Sequence, residues 1–223
     1  MARLLILGAT GSLGQHVLRQ ALAADHQVTV LVRTPSKIPL EARPLVATHR
    51  ADLSVLPPED LTEIIRGHDV MINCAGHVAD RASFVGLVDR VVSSIELLPG
   101  KRPACWFVAG AALLDIDRSG RRAVELPMVK STFWPHRANL ERLVRSKLDW
   151  RLLCPGPMVA RQALGLERLR ISVDRLPVQV PDFARLLPAP LLVPLFASLV
   201  PQLIVPYADA AALMLANIGP SCG

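Results

Sequence analysis

Residues 4–22 read LLILGATGSLGQHVLRQAL. An apolar run leads straight into Gly8, Gly11 and Gly14, spaced by three, and the glycines lead into a stretch with helical periodicity. Leu13, Val17, Leu18, Ala21 and Leu22 share one face of a helix over 12–23. The stretch therefore reads as strand, glycine turn, helix. At such a junction the first N–H groups of the helix lack partners and point outward, with the positive end of the helix dipole behind them. That is a site for a pyrophosphate. Gly8 permits the sharp turn, Gly11 lets the backbone approach the phosphates, and Gly14 lets the helix pack closely on the sheet. Thr10 belongs to the same turn, and Ser12 and Leu13 supply backbone N–H groups.

The rhythm continues along the chain. Strands are expected at 3–7, 27–32 (QVTVLV), 45–48, 69–76 (DVMINCAG), 104–110 (ACWFVAG) and 150–154 (WRLLC). Helices are expected between them. One is opened by Pro58, Glu59 and Asp60 and closed by Gly67; others span 81–98 and 136–147. The strands are apolar throughout rather than alternating, which marks a parallel sheet covered on both faces. Right-handed crossovers make it doubly wound, an α/β Rossmann fold. Residues 1–223 read as one domain in which 156–207 form a small elaboration over the carboxyl ends of the strands. There, 168–180 suggest an irregular strand pair, and 208–218 a closing helix.

Composition narrows the function. Of 223 residues 51% are apolar but only 4% aromatic, so Leu, Val, Ala and Ile build the core. The net charge is +6 and the pI about 9.7. The 25 Lys and Arg are scattered, with no basic run and no interleaved aromatics, which argues for an anion pocket on a basic surface and against nucleic acid. Cys74, Cys105, Cys154 and Cys222 lack metal-ligand or CxxC spacing and read as reduced residues of a cytoplasmic protein. No secretory pattern precedes the first strand. Residues 183–205 are apolar enough to suggest a membrane span, but Pro188, Pro190, Pro194 and Pro201 interrupt them and Arg185 lies inside. Short helices of a water-soluble fold, lying over the substrate side or a homodimer contact, are expected instead.

The end of the second strand speaks to the dinucleotide. NAD-binding folds place an acid there, on the ribose 2′-hydroxyl. Here the sequence is VLVRTPSK, with Arg33 in that place, Lys37 four residues on and no carboxylate until Glu41. Two cations suit the 2′-phosphate of NADP(H), and a charge-assisted Arg–phosphate contact is worth about 1.5–3 kcal/mol.

These stretches, with ADL at 51–53, NCAG at 73–76, LDWRLLCPGPM at 148–158 and VPYADAAALML at 205–215, resemble the atypical short-chain dehydrogenase/reductases. The nearest subgroup is the NAD(P)H-binding, NmrA-like group that includes flavin and biliverdin reductases. The resemblance spans roughly residues 1–218. It implies that Asp52 and Leu53 meet the adenine, that Ala75 and Gly76 pass under its ribose, and that Pro155, Gly156 and Pro157 border the nicotinamide. The family's serine or threonine after the fifth strand is missing from Ala109, Gly110, Ala111 and Ala112. The Tyr-x-x-x-Lys pair falls on Phe133 and Arg137. Phe133 has no proton to give. Arg137 can bind ribose hydroxyls or phosphate, and His136 can titrate near pH 7, so these two are the catalytic candidates. A surface or capping role competes for His136, and His77 stands similarly. Two functions follow from the residues: an NADPH-dependent oxidoreductase acting on a small flavin- or quinone-like acceptor, or a non-catalytic NADP(H) redox sensor.

Overall fold

The computed structural model describes residues 1–116 and 120–219, so Cys222 and Ser119 lie outside the described residues. Six strands form one parallel sheet: β1 (Arg3–Leu7), β2 (Gln27–Val32), β3 (Val46–Arg50), β4 (Val70–Asn73), β5 (Ala104–Val108) and β6 (Trp150–Leu153). Their spatial order is β3-β2-β1-β4-β5-β6. The order reverses beside β1, which places the end of β1 at the crevice where such sheets bind ligands.

Alternation along β1 divides the core. Leu4 and Ile6 face α1 (Gly14–Ala23) and the closing helix α6 (Tyr207–Ala216), packing with Val17, Leu18, Ala211 and Met214. Leu5 and Leu7 face the other layer, α2 (Pro58–Ile65), α3 (Ala82–Glu96) and α4 (Pro127–Arg145), packing with Leu61, Ile65, Val91, Ile95 and Leu143. All four leucines and isoleucines of β1 are fully buried. Arg142 on α4 ties this layer together by pairing with Asp89 and Glu96 of α3.

Two expectations are corrected. Helix α4 begins at Pro127, nine residues before 136, because Pro127 suits a first turn and the helix runs through Pro135. Proline there forgoes one backbone bond, and the buried contacts of the flanking turns carry the helix on. Residues 168–180 do not form a strand pair: a single 3-10 turn at Leu166–Arg168 is followed by irregular chain, with Arg175 bridging only to Asp115. Asp174 has φ +61°, and Pro177 and Pro181 cannot donate to a ladder. The small ladder of this region lies elsewhere, between β7 (Met158–Val159) and β8 (Val205–Pro206).

The proline-interrupted stretch forms a 3-10 turn at Asp182–Leu186, helix α5 (Ala189–Leu199) and a second turn at Val200–Leu203. Leu192 and Leu203 are buried against the segment after β5 and α4, and Leu199 is buried too. No helix among the described residues is long and apolar enough to cross a membrane. The elaboration is fastened by Asp209, whose buried carboxylate accepts hydrogen bonds from the Leu164 and Gly165 N–H groups at 2.7 and 3.0 Å.

Candidate functional site

The glycine turn is built by close backbone contact. Gly8 has φ +76°, and a Cβ there would lie 2.7 Å from the Ala75 nitrogen. A Cβ on Gly14 would lie 2.1 Å from the Gly8 oxygen, so β1 and α1 meet without room for a methyl group. Gly11 is different. Its N–H donates to the Gly8 oxygen at 3.0 Å, and a Cβ would meet that oxygen only at 3.4 Å, on the open side of the turn. The Ser12 and Leu13 N–H groups find no protein acceptor among the described residues. They stand at the start of α1, as a pyrophosphate requires.

From this turn a cavity of about 840 Å³ runs along the carboxyl ends of the strands. Of the residues expected from sequence it gathers Gly8, Thr10, Gly11, Ser12, Leu13, Arg33, Lys37, Asp52, Leu53, Ala75, Gly76 and His136. Gly14 lies behind the wall, as its packing role demands. Arg33 and Lys37 are exposed at the mouth after β2. Asp52 is turned aside: its carboxylate accepts the Ser54 hydroxyl and N–H at 2.6 and 2.9 Å, and these bonds, with the Arg33 charge, hold its pKa below the usual value. Asn73 accepts the Ala75 N–H at 3.0 Å and shapes the floor. Gly76, with φ +95°, leaves space for the Phe84 ring.

Pro155, Gly156 and Pro157 do not face the cavity. Gly156 packs against the Leu203 backbone, where a Cβ would lie 2.3 Å from the carbonyl oxygen. The next residue, Met158, does reach the wall, with Tyr207 of α6 opposite the turn. Tyr207, the single tyrosine of the chain, stacks on His16 of α1 with ring centroids 6.1 Å apart. Sequence reasoning passed over both residues. Their only sequence signals were the motifs that contain them, and the β7–β8 ladder brings them to the wall.

Arg137 points away and pairs with Glu141 one turn on, at 2.9 Å. Cys74 borders the cavity too, but burial pushes its thiol up to about 12, so it is no thiolate nucleophile near neutrality.

His136 is neither a surface nor a capping residue. It is 7% exposed, stacked against Phe133 at 6.1 Å and edge-on to Phe84 at 5.8 Å, with Nε2 next to Gly110. Burial, and then the neighbouring His77, bring its pKa down to about 4. It is therefore a neutral imidazole at pH 7. His77 is exposed at the cavity, and its Nδ1 accepts the Ala79 N–H at 3.1 Å, which leaves Nε2 for a ligand.

The burial of His136 sets a pH dependence. Its pKa is lower folded than unfolded, so the unfolded chain binds the extra proton between pH 6.5 and about 4, and stability falls as pH falls through that window. The full effect is up to about 3 kcal/mol. His136→Phe should lack this loss. Urea unfolding of both proteins at pH 7 and pH 4.5 checks it, and the difference between them cancels the parallel contribution of His68, which is also lowered by burial.

A parallel six-stranded sheet with a phosphate-ready turn at its reversal point defines a nicotinamide-dinucleotide-binding protein. The comparisons agree. The model of the NAD(P)H-binding family matches residues 8–175, and the chain belongs to that family. It is 28% identical over 157 residues to the uncharacterized protein YwnB of Bacillus subtilis, covering 68% of this chain and 70% of that one. Among solved structures it is similar to ChuY, an anaerobilin reductase of Escherichia coli (TM-score 0.67, 18% identity, 98% of this chain and 92% of that one). It is also similar to a Streptococcus pneumoniae protein described as a candidate NADH-flavin reductase (TM-score 0.63, 17% identity, 96% and 91%). At these identities the structures show a shared fold.

The residues present fit such a cofactor. The turn that a methyl group would fill, the two free N–H groups and the cations at the mouth are what a dinucleotide phosphate chain needs.

Proposed function

We propose that this protein is an NADPH-dependent reductase of the NmrA-like type that passes hydride to a small flavin- or quinone-like acceptor. One observation carries the reading: a single cavity joins the glycine turn and the Arg33–Lys37 mouth to His77, His136, Met158 and Tyr207. Bound NADPH supplies the hydride. The chain's residues bind and orient. Ser12 and Leu13 N–H groups hold the pyrophosphate, Arg33 and Lys37 hold the 2′-phosphate, and Asp52, Leu53, Ala75 and Gly76 flank the adenosine. At the other end Met158, Tyr207, Phe84 and Leu87 exclude water, and Pro155, Gly156 and Pro157 set the course of the chain beside the nicotinamide. His136 stays neutral, and Nε2 of His77 offers a hydrogen bond. We place the protein in the cytoplasm.

This arrangement suits an acceptor that takes hydride without concerted protonation by the protein. Ketone reduction needs a proton in the transition state, and its loss costs ~10²–10⁴ in rate. Phe133 cannot give one, Arg137 is turned away, and His136 is not an imidazolium at pH 7, its one remaining N–H being far too weak an acid to protonate the oxygen. NADPH oxidation followed by absorbance should therefore show turnover with flavins or quinones and negligible turnover of simple ketones. Stereospecific ketone reduction by the unmodified protein would end this account. Tight, redox-selective NADP(H) binding with no acceptor turned over would instead favour a sensor, the reading that the missing tyrosine and the outward Arg137 also support.

A further inference from the structure

His136 and Asn139 lie three residues apart on α4, so their side chains leave the helix on one face, a turn apart. Asn139 is 4% exposed, as deeply set as His136. Nδ1 of His136 and both Oδ1 and Nδ2 of Asn139 are buried and have no hydrogen-bond partner among the described residues. Buried polar groups nearly always have partners. Three such atoms lie on neighbouring turns of one helix, and the ring that carries one of them has Nε2 next to Gly110 and borders the cavity.

The surroundings leave few alternatives. Phe84 of α3 meets the ring edge-on and Phe133 stacks on it. Gly110 has no side chain, Ala123 and Val124 before α4 are apolar, and α5 carries no charge. Glu125 is engaged with the Arg122 N–H. His77 lies across the cavity, and Asp80 lines it from the Val78–Asp80 turn packed against α4.

We propose that Asn139 is a positioning residue for His136: its carboxamide donates to a bridging water that in turn donates to Nδ1, and so holds a neutral imidazole with Nε2–H toward the acceptor. A neutral imidazole has one donor and one acceptor nitrogen. With Nδ1 accepting from that water, the ring proton sits on Nε2. In that form the ring hydrogen-bonds an electron-accepting heteroatom without surrendering its proton. The role at the acceptor rests on the reductase reading; the tautomer does not.

Nitrogen-15 NMR of His136 in the full-length protein, with and without NADP⁺, tests this. The wild type should show one tautomer, Nε2–H, between about pH 5 and 8. Asn139→Asp should raise the midpoint of His136 from about 4 by at least about one unit, because a carboxylate favours the cation. Asn139→Leu should give both tautomers while NADP⁺ affinity changes by less than about threefold. An Nδ1–H tautomer or a mixture in the wild type overturns the proposal, as does an unmoved midpoint in Asn139→Asp. The wild-type spectrum decides even if neither variant folds. An acceptor panel without turnover leaves that spectrum unaltered, so failure of the reductase reading and failure of this one are separable.

Discussion

Gly14→Ala should destabilise the fold strongly, whereas Gly11→Ala should fold almost normally and bind its cofactor more weakly. A methyl group on Gly14 would sit 2.1 Å from the Gly8 carbonyl oxygen, and that oxygen is backbone, fixed between β1 and the turn. Relief requires α1 to move off the sheet, opening the packing of Val17 and Leu18 on Leu4 and Ile6. Overpacking of this kind costs about 3 kcal/mol or more. For a chain of this size that lowers the melting midpoint by roughly 10 °C. At Gly11 the same methyl group meets the Gly8 oxygen at 3.4 Å, an ordinary contact, and the backbone there is not in the left-handed region. The methyl group instead occupies the space into which the pyrophosphate comes. Melting should shift by a few degrees at most, while NADP(H) affinity falls on the order of tenfold or more. Thermal melts and calorimetric titration of the two variants check the pair. A Gly11→Ala protein with unaltered affinity would remove the pyrophosphate from this turn.

The second large effect concerns cofactor choice. Arg33→Glu should weaken NADP(H) by on the order of a hundredfold or more, since it deletes a charge-assisted contact and adds repulsion, and leave NAD(H) nearly unchanged. Arg33 and Lys37 present the cations at the mouth, and the first carboxylate after the second strand, Glu41, is not part of the cavity wall. Asp52 is there, but it is committed to Ser54 and influenced by Arg33 itself. Titration of both cofactors against both proteins gives the answer. Equal losses for NADP(H) and NAD(H) would sink the 2′-phosphate assignment.

The half of the cavity built on the glycine turn was legible in sequence because it is local. Gly8 to Gly14 carry strand, turn and helix in a dozen residues, and Arg33 is fixed by its place at the end of β2. The half lined by His136, Met158 and Tyr207 was not. His136 stands in the sequence both as a titratable catalytic candidate and as a surface or capping residue, because nothing adjacent says that Phe84, fifty-two residues earlier, and Gly110 enclose it. Arg137, one residue on, faces the opposite way for the same helical reason, and the motif that aligned it with a catalytic lysine carried no information about direction. Pro135 hid the first half of α4, since propensity ends a helix there and tertiary packing continues it. Met158 and Tyr207 reach the cavity only through a two-residue ladder between segments nearly fifty residues apart, a pairing without periodicity to betray it.

That β1 lies at the centre of the sheet and under α6 has a consequence for how the chain is made. β1 is covered on one face by a helix made roughly two hundred residues later: Ala210, Ala211 and Met214 close over Leu4 and Ile6, and Gln20 of α1 donates to the Ala208 carbonyl at 2.8 Å. Translation must pass residue 214 before that face is dry. Until then the nascent polypeptide displays an apolar strip beside a finished glycine turn, a state that invites chaperones. A chain interrupted before residue 207 lacks the roof over β1 altogether.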